Sequence, residues 1–168
     1  MRVVVWIAEG TWPACVDAVR DLAPGPADVV LLHVTGDAPG AAHGAFAGLL
    51  GRGRPDRDPG TDVEHLAAAS AERLLDAAAR RLGRPCTRST RVGRVEREIV
   101  AAAEDADLLV LARDGDRSHL GPRSLGHATR FVVDHAPCPV LLVWPERPPD
   151  VTSLPPPPGP RKGGRAGH

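Results

Sequence analysis

The sequence predicts an α/β fold: a doubly wound, five-stranded parallel sheet with helices on both faces. Two observations carry that expectation. Four short runs are apolar throughout, Val3–Ile7, Val29–Leu32, Leu108–Leu111 and Val140–Val143, and strands that are continuously rather than alternately hydrophobic are those covered on both sides. Between them lie segments with apolar residues at helical spacing. The order therefore reads β-α-β-α-β-α-β-α-β over residues 2–145, and strict alternation with short connections is the pattern of right-handed crossovers.

Each element has a local reason. After the first strand, Cys15, Ala18, Val19 and Leu22 fall on one helical face, with Thr11 as a cap and Pro13 in the first turn. The second strand precedes a long connection. Thr61-Asp62-Val63-Glu64 then has capping-box spacing and opens a helix through Leu66, Ser70, Leu74, Ala78 and Leu82, stopped by Gly83 with Pro85 beyond. Cys86 to Val92 is mostly polar and reads as an edge strand. Val95, Ile99 and Ala102 mark a third helix before the strand at Leu108. Leu125, Ala128, Val132 and His135 mark a fourth, ended by Pro137, and the last strand follows.

Composition narrows the function. Apolar residues are 42% of 168 and charged residues 25%, so the chain can bury one domain's core, and with aromatics at 3% that core must be aliphatic. Lys+Arg 21 balances Asp+Glu 21, without the basic excess of a nucleic-acid binder. The only lysine is Lys162, which excludes the Walker P-loop, Schiff-base enzymes, protein kinases and lysine-dependent receiver domains. Abundant Ala, Gly, Pro and Arg point to a GC-rich bacterial genome. Cys15, Cys86 and Cys138 make no even disulfide framework. The N-terminal apolar run is too short for a secretory signal, and no run approaches a membrane span, so a cytoplasmic protein is expected.

Two stretches stand outside the pattern. Residues 36–60 are Gly-rich and read as an excursion, either a lid or a variable loop. Residues 146–168 read as a Pro/Gly-rich disordered tail after a domain spanning 1–145; Pro157-x-x-Pro160-x-Lys162 within it formally matches a polyproline-II ligand.

In such sheets ligands sit beyond the carboxyl ends of the strands. Two loops qualify: Ala8 to Trp12 after the first strand, and Ala112 to His127 after the fourth. The latter is rich in glycine and enters a helix, whose free amides and dipole attract phosphate. Gly126 admits a close ligand, and Arg113, Arg117 and Arg123 are candidate partners for anionic oxygens, unless Asp114 and Asp116 already neutralise two of them.

Leu109-Val110-Leu111-Ala112-Arg113-Asp114-Gly115, then Gly126-His127-Ala128-Thr129, then His135-Ala136-Pro137-Cys138-Pro139-Val140-Leu141-Leu142-Val143 resemble the C-terminal signature of the universal stress protein A family. Gly93 to Val100 with Asp105 to Val110 resembles the segment before it, and Glu9-Gly10-Thr11 and Leu31-Leu32-His33-Val34 resemble the first-loop and second-strand patterns. The resemblance implies a Rossmann-like sheet of strand order 3-2-1-4-5, a homodimer through the last strand, and a role in stress response or signalling. Some members bind ATP through Gly-x2-Gly-x9-Gly-(Ser/Thr). Carried over, that implies a nucleotide site of Ala8, Glu9, Val34, Ala112, Arg113, Gly115, Gly126, His127 and Ala128. Gly115, Gly126, His127 and Ala128 would hold phosphates, Glu9 would lie near the ribose or Mg²⁺, and the Val34 backbone would read adenine. The chain departs from the motif at four points. Ala112 replaces the first glycine, where its Cβ would meet the phosphates; ten residues precede Gly126; His127 replaces the hydroxyl residue; and Glu9 replaces aspartate.

The last strand, Val140 to Trp144, has no charge, bulge or internal proline to protect a sheet edge, so a symmetric partner strand is expected. Cys138 and Cys15 read as buried hydrophobes, and Cys86 as a partly exposed thiol. The histidines lack metal-ligand spacing, and no metal is expected. Two readings compete with a regulatory nucleotide. One is a nucleotide-free protein-interaction module. The other is a slow ATP hydrolase with Glu9 as base and His127 as acid.

Overall fold

Val3, Val4 and Val5 are all but inaccessible because β1 (Arg2–Trp6) lies mid-sheet. The computed structural model describes residues 1–23, 25–36, 59–154 and 156. Five strands run parallel in the order β3-β2-β1-β4-β5: β2 (Asp28–Thr35), β3 (Thr87–Val92), β4 (Leu108–Ala112) and β5 (Val140–Val143) join β1. β1 pairs on one side with Val3 opposite Val29 and on the other with Val3 opposite Leu108. Sheet growth thus reverses between β1 and β4, which is the switch point where α/β folds open a ligand crevice.

The pleat divides the aliphatic residues between two cores. Val3, Val5, Ile7, Leu31 and Val110 pack against Cys15, Val16 and Val19 of α1 (Trp12–Leu22) and Leu75, Ala78 and Leu82 of α2 (Pro59–Leu82). On the other face Val4, Trp6, Leu32, Leu109 and Leu111 meet Ile99 of α3 (Val95–Ala102) and Val132 of α4 (His127–His135). Helices cover both faces, as the doubly apolar strands require. A bidentate pair ties α1 to α2: Arg81 donates from Nε to Asp17 Oδ1 at 2.8 Å and from Nη2 to Oδ2 at 2.6 Å.

Several boundaries differ from those expected. Thr11 precedes α1 but its side chain does not cap it; the amides of Thr11 and Trp12 instead bond Ala8 O at 3.3 and 3.1 Å. α2 opens at Pro59, two residues before Thr61, where proline's missing donor costs nothing. It ends as expected at Gly83, whose φ of +68° suits the left-handed turn. Leu125 lies outside α4, because its extended backbone (ψ 121°) precedes Gly126 at the N-cap. β3 is the expected polar edge, starting one residue after Cys86, and β5 stops short of Trp144.

Residues 37–58, the body of the expected excursion, lie outside the described residues, as do 157–168 with the proline motif and Lys162. Residues 146–154, expected to begin a structureless tail, instead return to the domain. A 3₁₀ turn at Val151–Ser153 is capped by Asp150, and Ser153 Oγ accepts the Leu120 amide at 3.1 Å.

Candidate functional site

Two loops leave the adjacent strands β1 and β4 at the switch point. Beyond β1, Ile7 still donates to Leu32 O at 2.8 Å, and Gly10, at φ +80°, turns the chain into α1. That leaves Ala8 half-buried and Glu9 exposed at the mouth. The Gly93 amide donates to Thr35 O at 3.0 Å. Carbonyls alternate along a strand, so the Val34 carbonyl faces the other way, past the end of β1. An open cavity of about 450 Å³ lies here, with Glu9, His33, Thr35, Ser70, Arg73 and Leu74 among its lining. His33 Nδ1 sits 2.7 Å from Ile7 O. A carbonyl can only accept, so Nδ1 is the donor of this bond.

The β4–α4 loop is built on itself. Gly115 and Asp116 donate to Ser124 O and Arg123 O at 2.9 and 2.8 Å, closing a hairpin-like pinch. A Cβ at Gly115 would come within 2.8 Å of Leu125 C and 2.9 Å of Ser124 C, and closer still to Arg123 O. This glycine is required by the loop's own backbone. Ser124 is fully buried; its hydroxyl donates to Gly121 O at 2.6 Å and accepts from Arg113 Nη1. The Arg113 guanidinium also lies 4.7 Å above the Trp144 ring. Arg117 pairs with Glu146.

Three expectations about this loop are corrected. Ala112 is buried at the end of β4 within the α1-side core, so its Cβ is absorbed by packing and not by a phosphate path. Asp114 and Asp116 do not neutralise the arginines through ion pairs. Asp114 Oδ1 accepts the Gly126 amide at 2.8 Å, and Asp116 accepts from Ser118 N and Oγ at 3.0 and 2.6 Å. Those Ser118 bonds, side chain first, hold the Asp116 carboxyl below its ordinary range. The close neighbour of Gly126 is accordingly a carboxylate of this chain: a Cβ there would lie 2.8 Å from Asp114 Oδ1.

His127 is exposed at the first position of α4, and Ala128 packs into the α3–α4 core. Glu96 at the start of α3 has its carboxyl lowered, first by its own backbone amide and least by the charge of His127. His127 therefore faces α3, and the cavity that holds Glu9 does not include it. The acid–base pair of the hydrolase reading is not assembled in that cavity. Cys15 is buried, and burial pushes its thiol up to about 12. Cys138, expected to be buried, is only half-buried, as is Cys86, and partial burial raises both thiols. None has the depressed value of a reactive thiolate. Among the described residues no cluster of His, Cys, Asp and Glu could hold a metal, and no helix is long and apolar enough to cross a membrane.

Sequence reasoning found both loops but missed the α2 wall of the cavity, where Ser70 was noted only as part of the helix and Arg73 was not singled out. It also missed the Asp114–Gly126 contact, which spans twelve residues of irregular chain.

The profile of the universal stress protein family matches residues 8–143. No curated protein matches the sequence. Among solved structures, the chain is similar to the hypothetical protein MJ0577, in a structure-based assignment of its biochemical function, at TM-score 0.65 and 19% identity over 87% of this chain and 96% of that one. It is similar to the hypothetical protein PH0823 at TM-score 0.57 and 19% identity, over 85% and 95% of the two chains. It is also similar to a universal stress protein in complex with cAMP at TM-score 0.56 and 18% identity, over 87% and 98%.

Proposed function

This chain belongs to the universal stress protein family, and on that premise we propose that the crevice at the β1–β4 switch point binds an adenine nucleotide as a regulatory ligand in stress signalling. One observation carries the proposal. The Val34 carbonyl is turned past the end of β1, and its neighbours His33 and Thr35 line, with Glu9, an open cavity of about 450 Å³. An adenine needs an edge of unpaired backbone to read and an apolar slot to stack in, and Leu74 with the α2 alanines supplies the slot. Ala8 and Glu9 would meet the ribose, with Mg²⁺ where the ligand is ATP. Arg113 and Gly115 would shape the loop, and Gly126, His127 and Ala128 would present the start of α4 to phosphate. A fold neighbour holds cAMP, which fits an adenine ligand in this crevice.

Calorimetric titration of the full chain with cAMP, AMP and ATP tests this. Ala67, half-buried on the cavity wall, is the control: Ala67→Trp fills the slot without entering either core. Micromolar binding lost in Ala67→Trp is expected. No binding up to millimolar ligand overturns the proposal in favour of the second reading, a nucleotide-free protein-interaction module, which the Asp114 carboxylate on the Gly126 amide favours.

The proposed protein is a cytoplasmic homodimer paired through Val140 to Trp144. Leu109 and Arg113 donate to Pro139 O and Val143 O at 2.9 Å. By alternation the backbone groups of Val140, Leu142 and Trp144 point away from β4, and the apolar β5 leaves them as a ready strand-pairing edge. Light scattering at tens of micromolar should give twice the chain mass. Leu142→Pro removes an outward donor without breaking a β4 bond, and it should give a monomer. A monomeric parent would refute the dimer.

A further inference from the structure

We infer that Arg73 on α2 receives the phosphate of an adenine mononucleotide within the cavity, so that the site prefers a nucleoside monophosphate to the uncharged nucleoside. The inference rests on the adenine-binding proposal above and specifies which ligand that site takes. The cavity wall carries one carboxylate, Glu9 beyond β1, and one guanidinium, Arg73 of α2. Among the described residues the two do not pair with each other. A carboxylate accepts and suits the hydroxyls of a ribose. A guanidinium only donates, and its fork meets two phosphate oxygens at once. A ligand with a diol and an anion satisfies both walls.

Helical spacing accounts for the availability of Arg73. Its neighbours one turn away are Ala69, Ser70, Asp76 and Ala77. Asp76, the only carboxylate among these, pairs with Arg88 of β3. Ser70 and Ala77 line the cavity together with Arg73, so one flank of α2 presents a hydroxyl and a guanidinium to the same ligand. The β4–α4 loop is placed differently. Arg113 bonds Ser124, Arg117 pairs with Glu146, and none of the described residues lining the cavity comes from that loop. The cavity of about 450 Å³ lies toward the small end of the range for ligand sites, about 300–1,000 Å³. That size suits a nucleotide with one phosphate; further phosphates would leave the cavity and run on toward α4.

Calorimetric titration of the full chain with adenosine and AMP compares the parent with Arg73→Gln, Arg73→Lys and Arg123→Gln. Arg73 is exposed on its helix, and glutamine and lysine are both good helix formers, so α2 survives either change. Arg123 is the control, a cation of the β4–α4 loop without an ion pair among the described residues. A charge-assisted bond to phosphate should make the parent bind AMP about tenfold more tightly than adenosine. Arg73→Gln should bring AMP to within about threefold of adenosine and change adenosine itself less than about twofold; Arg73→Lys should keep part of the preference, and Arg123→Gln all of it. Raising salt from about 20 to about 200 mM shortens the screening length, so the parent's preference for AMP should shrink. A preference for AMP that survives Arg73→Gln, or a parent that binds both ligands equally, overturns the role of Arg73 and leaves the adenine site standing. No binding of either ligand to the parent overturns the adenine site and this inference together.

Discussion

Replacing Gly115 with alanine should destabilise the protein by closing nothing and opening a great deal. The new Cβ would lie 2.8 Å from Leu125 C and 2.9 Å from Ser124 C. Those are backbone atoms and cannot swing aside, so the 122–125 segment must retreat by several tenths of an ångström. The retreat stretches the two bonds that pinch the loop, Gly115 N to Ser124 O at 2.9 Å and Asp116 N to Arg123 O at 2.8 Å. Each is worth about 1 kcal/mol net, and disturbance around the fully buried Ser124 adds a smaller amount. The sum is about 2–3 kcal/mol, which for a chain of this size lowers Tm by about 4–12 °C. Gly126→Ala is the comparison. Its Cβ meets only the end of the Asp114 side chain, which can rotate away, so its cost should be about 1 kcal/mol, one lost hydrogen bond. Thermal melts followed by circular dichroism read both. A Gly115→Ala protein that melts within about 1 °C of the parent, or below which Gly126→Ala falls, refutes the backbone contact and the ranking drawn from it.

Further outcomes follow from the same contacts. Burial keeps Cys15 neutral in the folded state up to about pH 12, against 9.0 for an unburied thiol. Unfolding therefore releases its proton across that window, and stability should fall as pH rises from 9 toward 12, by up to about 4 kcal/mol at the top; Cys15→Ala should flatten the slope measured by urea unfolding between about pH 9 and 10.5. The Arg81 hydrogen bonds hold the Asp17 carboxyl below 3.8, so the pair stabilises above that value and is lost as pH falls through the lowered one. Arg81→Ala should lower stability at neutral pH, and that deficit should shrink as pH falls below the ordinary carboxylate range, as urea unfolding at the two pH values would show. Removing the guanidinium over Trp144 with Arg113→Ala should cost about 1–2 kcal/mol, combining the lost stacking with the lost hydrogen bond to the Ser124 hydroxyl, which keeps its bond to Gly121 O, and equilibrium unfolding measures it directly.

The fold was legible because its information is dense and local. Val3 to Ile7 and Leu108 to Leu111 are apolar at every position, and only a strand covered on both faces requires that. The polar Thr87 to Val92 likewise announced an edge. Boundaries were less legible, since Thr61 satisfies a capping pattern but Pro59 already has the helical φ that starts α2 earlier. In the site, the loops were evident from glycine and from the connection order. The partners inside them were not. Arg117 meets Glu146 across 29 residues and Asp114 meets Gly126 across 12, and neither spacing repeats or has a helical or strand period. Charge alone suggested that the aspartates would take the arginines, but nearby amides and hydroxyls reached them first.

The two edges of the sheet have opposite characters, and this bears on how many copies the proposed strand pairing would join. β3 is polar, and its Arg88 and Arg91 are paired with Asp76 and Glu98. Strand addition there must displace charge, whereas β5 is entirely aliphatic. A subunit with two adhesive edges would polymerise end to end, adding copies without limit. A subunit with one has a valence of one: the first symmetric union uses it up, and growth stops at a pair.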